Sequence, residues 1–489
     1  MAHIRGVSLL LLALSLGIYG IGAAAMPAAA STSFTFTGGG WGHGVGMSQW
    51  GARGFAANGY NSTQILQHYY SGVGVGSAGV SNDLAILIAQ NAASITLTAS
   101  GTTAVPGVGT LSAGQAVTIT RSGGNLAVSG SLNATIAGPV DISLASSGGP
   151  VTVSPPGYGY RYGTLRLSSD PGGSVRAVVR DLPMQQYLYG LGEMPSSWPA
   201  EALKAQVTAA RTYAQKKRTA RGSADFDMYG SVWDQSYTGT RFEVAAWNAA
   251  VDATDGQVVT HNGALIDAVY SASSGGHTEN SEYVWVSSVP YLRGTSDPYD
   301  GTGGNPNASW SRTYRDSDLG AWFGLGTMTS IQVLGPVGVS GRLDKATIRL
   351  TGTGGSRDVS GNSFRSTVNS RVPGSQQLMS TKFTVNGAGA PAPAPAPANQ
   401  MPTGSITVAT AEGRQIIIGG RSSDADGYPL VRVVSTMGSQ RAVRDFTSTN
   451  GSYLMWWNGG PGTRTVCVTV YDVPTGQGVS LGCRDIVVK

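Results

Sequence analysis

GEMPSSWPAEALKAQVTAARTYA, residues 192–214, holds a turn and the start of a helix. Leu203, Val207, Ala210 and Ala214 fall at i, i+4, i+7 and i+11, one face of a helical period. Pro199, with Ser196 and Ser197 before it, supplies start signals, so the spacing predicts a helix from Pro199 to Lys217. Glu193 stands in the Gly-Glu-Met-Pro turn ahead of that helix, with Tyr187, Leu188, Tyr189, Leu191, Met194 and Trp198 close in sequence. A carboxyl in such company is desolvated, which disfavours the ion and raises its pKa. That is the state a general acid needs near neutral pH. A plainer reading makes Glu193 a helix-start charge near the positive end of the dipole. Arg211 falls beside the apolar stripe, on a face with Lys204 and Thr208. It either presents a cation to a groove or is a surface arginine on a solvated face.

Outward from this stretch, FEVAAWNAAVDAT (242–254) reads as a second helix closed by Asp255-Gly256, and NSTQILQHYYSG (61–72) as a third. Residues 80–180 alternate Thr, Val and Ile between glycine turns and read as strands. The expected class is α+β, strand-dominated, with two or three helices. GAGAPAPAPAPANQMP (387–402) is a stiff Pro/Ala spacer with no core to bury. Beyond it, residues 403–489 carry short alternating runs broken by Gly, Asp and Pro, the pattern of a separate all-β sandwich-type module. Its fold fits an accessory wall-binding or spacing domain and a purely structural sandwich alike. The chain has 2 cysteines, Cys467 and Cys483, flanking a Pro-Thr-Gly turn. A hairpin there sets them opposite each other, and a cross-strand disulfide is the natural reading for an exported chain.

The bulk numbers bound the function. Of 489 residues, 12% are charged and 71 are glycine, a balance that suits a β-rich extracellular protein. The net charge of +5 is small for this length. The tight basic cluster Lys216-Lys217-Arg218 falls at a predicted helix end, where cations complement the dipole. Nucleic-acid binding is therefore not expected, whereas a mild attraction to an anionic polymer is. Residues 1–30 carry Arg5, an apolar run over 7–25 and Ala28-Ala29-Ala30, which fits an export signal cleaved before Ser31. The rival is an uncleaved anchor. Either way the mature chain works outside the cytoplasm, with no stable membrane insertion once the signal is cleaved.

Three long motifs resemble the family that holds the stage II sporulation protein D and amidase-enhancer proteins. They are the 192–214 stretch, SASSGGHTENSEYVW (271–285) with its sequel VPYLRGTSDPYD (289–300), and WGHGVGMSQWGARGFAANGYNSTQILQHYYSG (41–72). They span about residues 34–386, and the resemblance implies a peptidoglycan-active domain over 31–386. Sporulation members of the family are lytic transglycosylases that cleave glycan strands already stripped of peptide. The glutamate of the GEMP motif is their catalytic residue, here Glu193, and the arginine of the AARTYA motif contributes to their site, here Arg211. One carboxyl suffices for that chemistry, since no water is activated, unlike the paired carboxyls of ordinary glycosidases. Arg211 suits a clamp for the MurNAc lactyl carboxylate. The resemblance also implies peptidoglycan strands, and a cell-wall amidase, as partners. A second reading keeps the fold without the activity, as an amidase enhancer or wall-binding protein.

Two departures from the family stand out. The GHGVGMSQ motif usually closes the domain, and here it opens it. The order therefore reads as a circular permutation, with segment 33–76 packing beside the strand that ends near Asn386. Some members also bind zinc through a Cys/His cluster downstream of the AARTYA helix. The matching stretch here, DFDMYGSVWDQSYTG (225–239), has neither residue, so no metal or other cofactor is expected. His43 and Gln49 sit among glycines that let backbone approach a sugar or another chain closely. His43 either lines the groove with Gln49 or is a buried hydrogen-bonded residue. His277, in SSGGHTEN, is a further candidate for lining the cleft. Ser274 lacks a G-x-S-x-G elbow, so a serine hydrolase is rejected.

Overall fold

The computed structural model describes residues 32–386 and 401–489, apart from 82, 171, 222–224, 424–428, 448–450 and 472–476. The predicted export signal and nearly all of the Pro/Ala spacer lie outside the described residues. Strands dominate, as the sequence led us to expect, but the helices number eight among the described residues. They are α1 (Gln49–Ala57), α2 (Ser62–Tyr69), α3 (Met184–Tyr189), α4 (Ala200–Arg221), α5 (Ala245–Ala253), α6 (Ser281–Val284), α7 (Asp316–Phe323) and α8 (Gly361–Asn369). The periodicity predicted α2, α4 and α5. The other five, 4 to 9 residues long, were not predicted, although α2 and α5, at 8 and 9 residues, are no longer.

Helix α4 is the centre of the larger core. Leu203, Val207, Ala210 and Ala214 are buried as predicted, but so are Ala202, Ala205, Ala209, Gln206, Thr208, Arg211 and Thr212. α1, α2, α5 and strand Gln257–His261 surround it, so the helix has no solvated long face. Its many alanines let these neighbours come close without leaving gaps. Each fully buried Leu or Val here contributes about 1.5–3 kcal/mol. Ahead of α4, residues 84–182 form the expected β-rich part. One sheet runs in the order Val140–Ser143, Thr164–Ser169, Val175–Leu182, Leu84–Ala92 and Met228–Tyr229. A six-stranded sheet beside it is built around Ser94–Ala99 and Ala116–Ser122.

Residues 32–386 hold two cores. Strand Ser33–Gly38 lies between Trp310–Arg315 and Phe383–Asn386, antiparallel to both, with Thr35 opposite Asn386. Its alternation points Phe34 and Phe36 inward, onto Trp310, Phe364 and Phe383, with α7 and α8 completing a second core. The chain then crosses to the first core through its glycines. Gly44 and Gly46 have positive φ, and a Cβ there would run into the Arg342 guanidinium and the Val269 carbonyl.

A buried carboxylate pair ties this crossing to residues 271–300. Asp300 accepts from the Ser48 and Ser273 hydroxyls, each at 2.7 Å, and from the Ser274 and Gly275 amides at 3.1 and 3.0 Å. Asp297 accepts from the Tyr69 and Ser274 hydroxyls, both at 2.8 Å. Burial, and then the charge of Asp300, push the Asp297 carboxyl up to about 7. Arg342 is fully buried and donates to the Gly42 carbonyl at 2.9 Å.

Residues 403–489 form two sheets. One pairs Thr403–Glu412, Gln415–Ser423 and Tyr453–Asn458. The other orders Gln440–Thr447, Leu430–Met437, Gly462–Tyr471 and Gly478–Val488. Ile416, Ile418, Val431, Val433, Val466, Val468 and Val470 fill the space between, every second residue along each strand. Cys467 and Cys483 are direct cross-strand partners joined by a disulfide; part of the turn between them lies outside the described residues.

Two outcomes follow from this packing. Because Asp297 holds its proton to a higher pH folded than unfolded, its contribution to stability is full below the ordinary carboxyl range and is lost as pH rises through about 7. Asp297→Asn flattens that part of the stability–pH curve, measured by denaturant unfolding between pH 4 and 8. Cys467→Ser opens a 16-residue crosslink and costs the C-terminal module about 2–4 kcal/mol, seen in thermal unfolding.

Candidate functional site

Glu193 is carried on the turn between α3 and α4, and that turn is held by a second segment. The Gly192 amide donates to the Ser236 carbonyl and the Thr238 amide to the Gly190 carbonyl, both at 2.8 Å. Leu191 and Tyr237 form an antiparallel bridge. This pairing aims the Ser236 amide at the Glu193 carboxylate, 2.5 Å from Oε1. On another side, α1 brings Gln49, whose Nε2 donates to the Glu193 carbonyl at 3.0 Å and to Gln206 Oε1 at 3.3 Å. So Gln49 and Glu193, 144 residues apart, share one site.

A third group comes from the strand Tyr270–Ser271, which pairs in parallel with Met47–Ser48. The direction of the hydrogen bonds around it can be worked out. The Tyr187 hydroxyl donates to Gln235 Oε1 at 2.8 Å, and Gln235 Nε2 donates to the Tyr270 oxygen at 2.9 Å. Since Tyr270 accepts there, its own proton is available to Glu193, and it lowers the Glu193 pKa through a hydrogen bond. Burial acts the other way and wins. It pushes the carboxyl above its ordinary value against the Ser236 amide, Gln49 and Tyr270. Among the described residues, no other carboxylate is one of the groups that shift it. The helix-start role that Glu193 could have filled belongs instead to Glu201, the acid in the first turn of α4.

His43 lies on the reverse side of Tyr270. The Val45 amide donates to Nδ1 at 3.0 Å, which leaves the proton on Nε2, and the ring donates to the Tyr270 carbonyl. Burial and the neighbouring Arg342 charge lower its pKa to about 4, so the ring is neutral. Its face meets Trp285 at 5.1 Å. His43 is thus half-buried and hydrogen-bonded, and it supports the strand that bears Tyr270. Trp41 (51% exposed), Trp285 (39%) and Trp233 (82%) stand out on these segments. Trp198, in the Glu193 turn, packs on Trp50 at 4.8 Å, with the Arg53 guanidinium over both rings.

The structure departs from expectation at Arg211. Its side chain is fully buried, facing α3 and α5 rather than a groove. It donates to Gln185 Oε1 at 3.1 Å, to the Gln257 carbonyl at 3.2 Å and to the Val251 carbonyl at 3.3 Å. Desolvation lowers its pKa to about 10. Because the central part of α4 is enclosed, this guanidinium serves as an internal brace and cannot clamp a substrate carboxylate. His277 is not among the groups that act on the Glu193 carboxyl. Its Nδ1 lies 2.7 Å from the Thr278 carbonyl, and its backbone bridges Ser296, whose carbonyl lies 2.9 Å from His68 Nε2. Tyr270, Gln235, Tyr187 and Ser236 were missed in the sequence. A tyrosine at a strand end or an amide in a loop carries no spacing signal.

Zinc does not fit residues 225–239. The stretch has no Cys or His, and each of its acids is engaged. Asp225 pairs with Arg176, Asp227 accepts from the Ala85 amide at 2.7 Å, and Asp234 accepts from Tyr213 and Tyr229. Among the described residues, no cluster of His, Cys, Asp and Glu is arranged to hold a metal ion.

Comparison with known proteins matches the segment that carries Glu193. Residues 173–261, which contain Glu193, Ser236 and α4, match the family described as Stage II sporulation protein. The amidase enhancer of Bacillus subtilis (strain 168) is 43% identical over 129 residues, 26% of this chain and 16% of that protein. The stage II sporulation protein D of the same organism is 32% identical over 139 residues, 25% of this chain and 40% of that protein. Its counterpart from Bacillus amyloliquefaciens is 33% identical over 140 residues, with the same coverage. The chain thus spans less than half the length of these relatives, and no solved structure matches it. The segment that carries Glu193, residues 173–261, is similar to the Stage II sporulation protein family.

Proposed function

We propose that the chain is an exported lytic transglycosylase acting on peptidoglycan glycan strands, with Glu193 as its single acid–base group. The observation that carries this reading is the Glu193 carboxyl itself. It is desolvated enough to hold a proton above the usual carboxyl range, is oriented by donors from three segments, and has no second carboxylate acting on it among the described residues. Glu193 protonates the glycosidic oxygen between MurNAc C1 and GlcNAc O4 as that bond breaks. The carboxylate left behind, stabilised by the Ser236 amide and Tyr270, takes the proton from the C6 hydroxyl of the same MurNAc. O6 closes on C1, giving a 1,6-anhydroMurNAc end, and Glu193 is protonated again. The exposed tryptophans offer flat faces for sugar rings.

On the same reading, peptide-stripped strands are the substrate, and residues 403–489 are an accessory wall-binding or spacing module. Segment 33–76 is a circularly permuted end of the domain, for which the pairing of Thr35 with Asn386 supplies the required closeness of the two ends. A second reading, an enhancer of a separate cell-wall amidase, is favoured by the likeness to the amidase enhancer.

Digestion of denuded and of intact peptidoglycan, read by mass spectrometry, tests the choice. Wild type yields 1,6-anhydroMurNAc ends, and Glu193→Gln lowers their rate by about 100-fold or more. If neither protein yields them on either substrate while wild type accelerates an added cell-wall amidase, the enhancer reading replaces this one. Tyr270→Phe removes a donor to the ionised carboxylate, so the Glu193 pKa rises. The limb of the pH–rate profile that reports this group then moves to higher pH, while the maximal rate falls.

A further inference from the structure

The residues that orient Glu193 are themselves held by one acid. Gln235 and Ser236 both reach the site, and Asp234 immediately precedes them. Its side chain is 3% exposed, in a loop whose tip, Val232 and Trp233, is 93% and 82% exposed. A carboxylate buried at the base of an exposed loop is costly unless it is paired and hydrogen-bonded. Asp234 Oδ1 accepts from the Tyr213 hydroxyl at 2.6 Å and lies 3.3 Å from Lys217 Nζ. Oδ2 accepts from the Tyr229 amide at 2.9 Å, and the Asp234 amide donates to the Ser231 carbonyl at 3.0 Å. Tyr213 and Lys217 are i and i+4 on α4, so they present one face to the loop, and the central part of α4 is buried in the larger core. The loop's other end is tied to the sheet, where the Gly230 amide donates to the Leu87 carbonyl at 2.9 Å.

We propose that Asp234 is the positioning residue of the site: its carboxylate clasps loop 229–236 to α4 and so sets the Gln235 amide and the Ser236 N–H against Tyr270 and Glu193. The clasp ties down, without a metal ion, the stretch where the family resemblance implied zinc ligands in other members. The proposal builds on Glu193 as the reacting acid, yet the clasp can be tested with no substrate present.

The test uses the full chain, hydrogen-exchange mass spectrometry over residues 229–238 and carboxyl NMR titration of Glu193. Asp234→Ala speeds exchange across that peptide by about tenfold or more, the equivalent of one lost hydrogen bond to a charged group. It also moves the Glu193 midpoint upward, while Glu201 and Glu282 titrate as before. Asp234→Asn keeps an acceptor for Tyr229 and Tyr213 and restores most of the protection. Extensive chelation of the wild type changes neither readout. Wild-type exchange and an unmoved Glu193 midpoint in Asp234→Ala would overturn the proposal, and so would faster exchange of the wild type after chelation. Should Asp234→Ala fail to fold, Tyr213→Phe removes a single bond and gives a smaller change of the same sign; no change there overturns the clasp equally. If the clasp readouts behave as expected but no 1,6-anhydroMurNAc end is ever produced, the glycan-cleaving reading fails and the clasp stands.

Discussion

Enclosure of the central part of α4, residues 202–214, is the constraint from which the rest of the domain follows. A helix with no solvated long face must find internal partners for whatever polar side chains it carries. Thr212 accepts from the Val259 amide at 2.9 Å, Arg211 spans to α3 and α5, and Gln206 meets Gln49. Each of these bonds fixes a neighbour's position as well as satisfying a buried group. The turn before α4 is thereby pinned between α1 on one side and residues 236–238 on the other, and Glu193 occupies that turn.

Two opposing effects act on Glu193, and burial outweighs the donors. Desolvation favours the neutral acid, and donors from residues 49, 236 and 270 favour the ion. The donors come from three parts of the chain that meet because the N-terminal segment is threaded through the first core. The buried Asp297–Asp300 pair and the fully buried Arg342 hold that threading. Polar ties of this kind leave few alternative packings, since each unmade bond would strand a buried charge.

Particular residues show where sequence reading was effective. The desolvation of Glu193 was legible because a carboxyl among aromatics in a turn before a helix is a local arrangement, while the residues alone left its role open. Gln49 was legible as a candidate through its motif, and the tertiary structure set it 3.0 Å from the Glu193 carbonyl. Arg211 was misread for a physical reason. An amphipathic stripe identifies one buried face but says nothing about what covers the opposite one. His43 had two readings open, and the Val45 amide at its Nδ1 selected the hydrogen-bonded one. Length alone does not separate α1 and α8, which were not predicted, from α2 and α5, which are no longer.

The sequence by itself determined the strand-dominated class, helices α2, α4 and α5, and the alternating strands beyond the Pro/Ala spacer. These follow from side-chain periodicity, from turn residues and from near neighbours, all of which act over a few residues. Only the tertiary structure decided which side chains surround Glu193. Tyr270, Gln235 and Ser236 reach it through strand pairing and a loop clasp between segments far apart in the chain. A hydrogen bond depends on distances of tenths of an ångström, which spacing along the sequence does not encode.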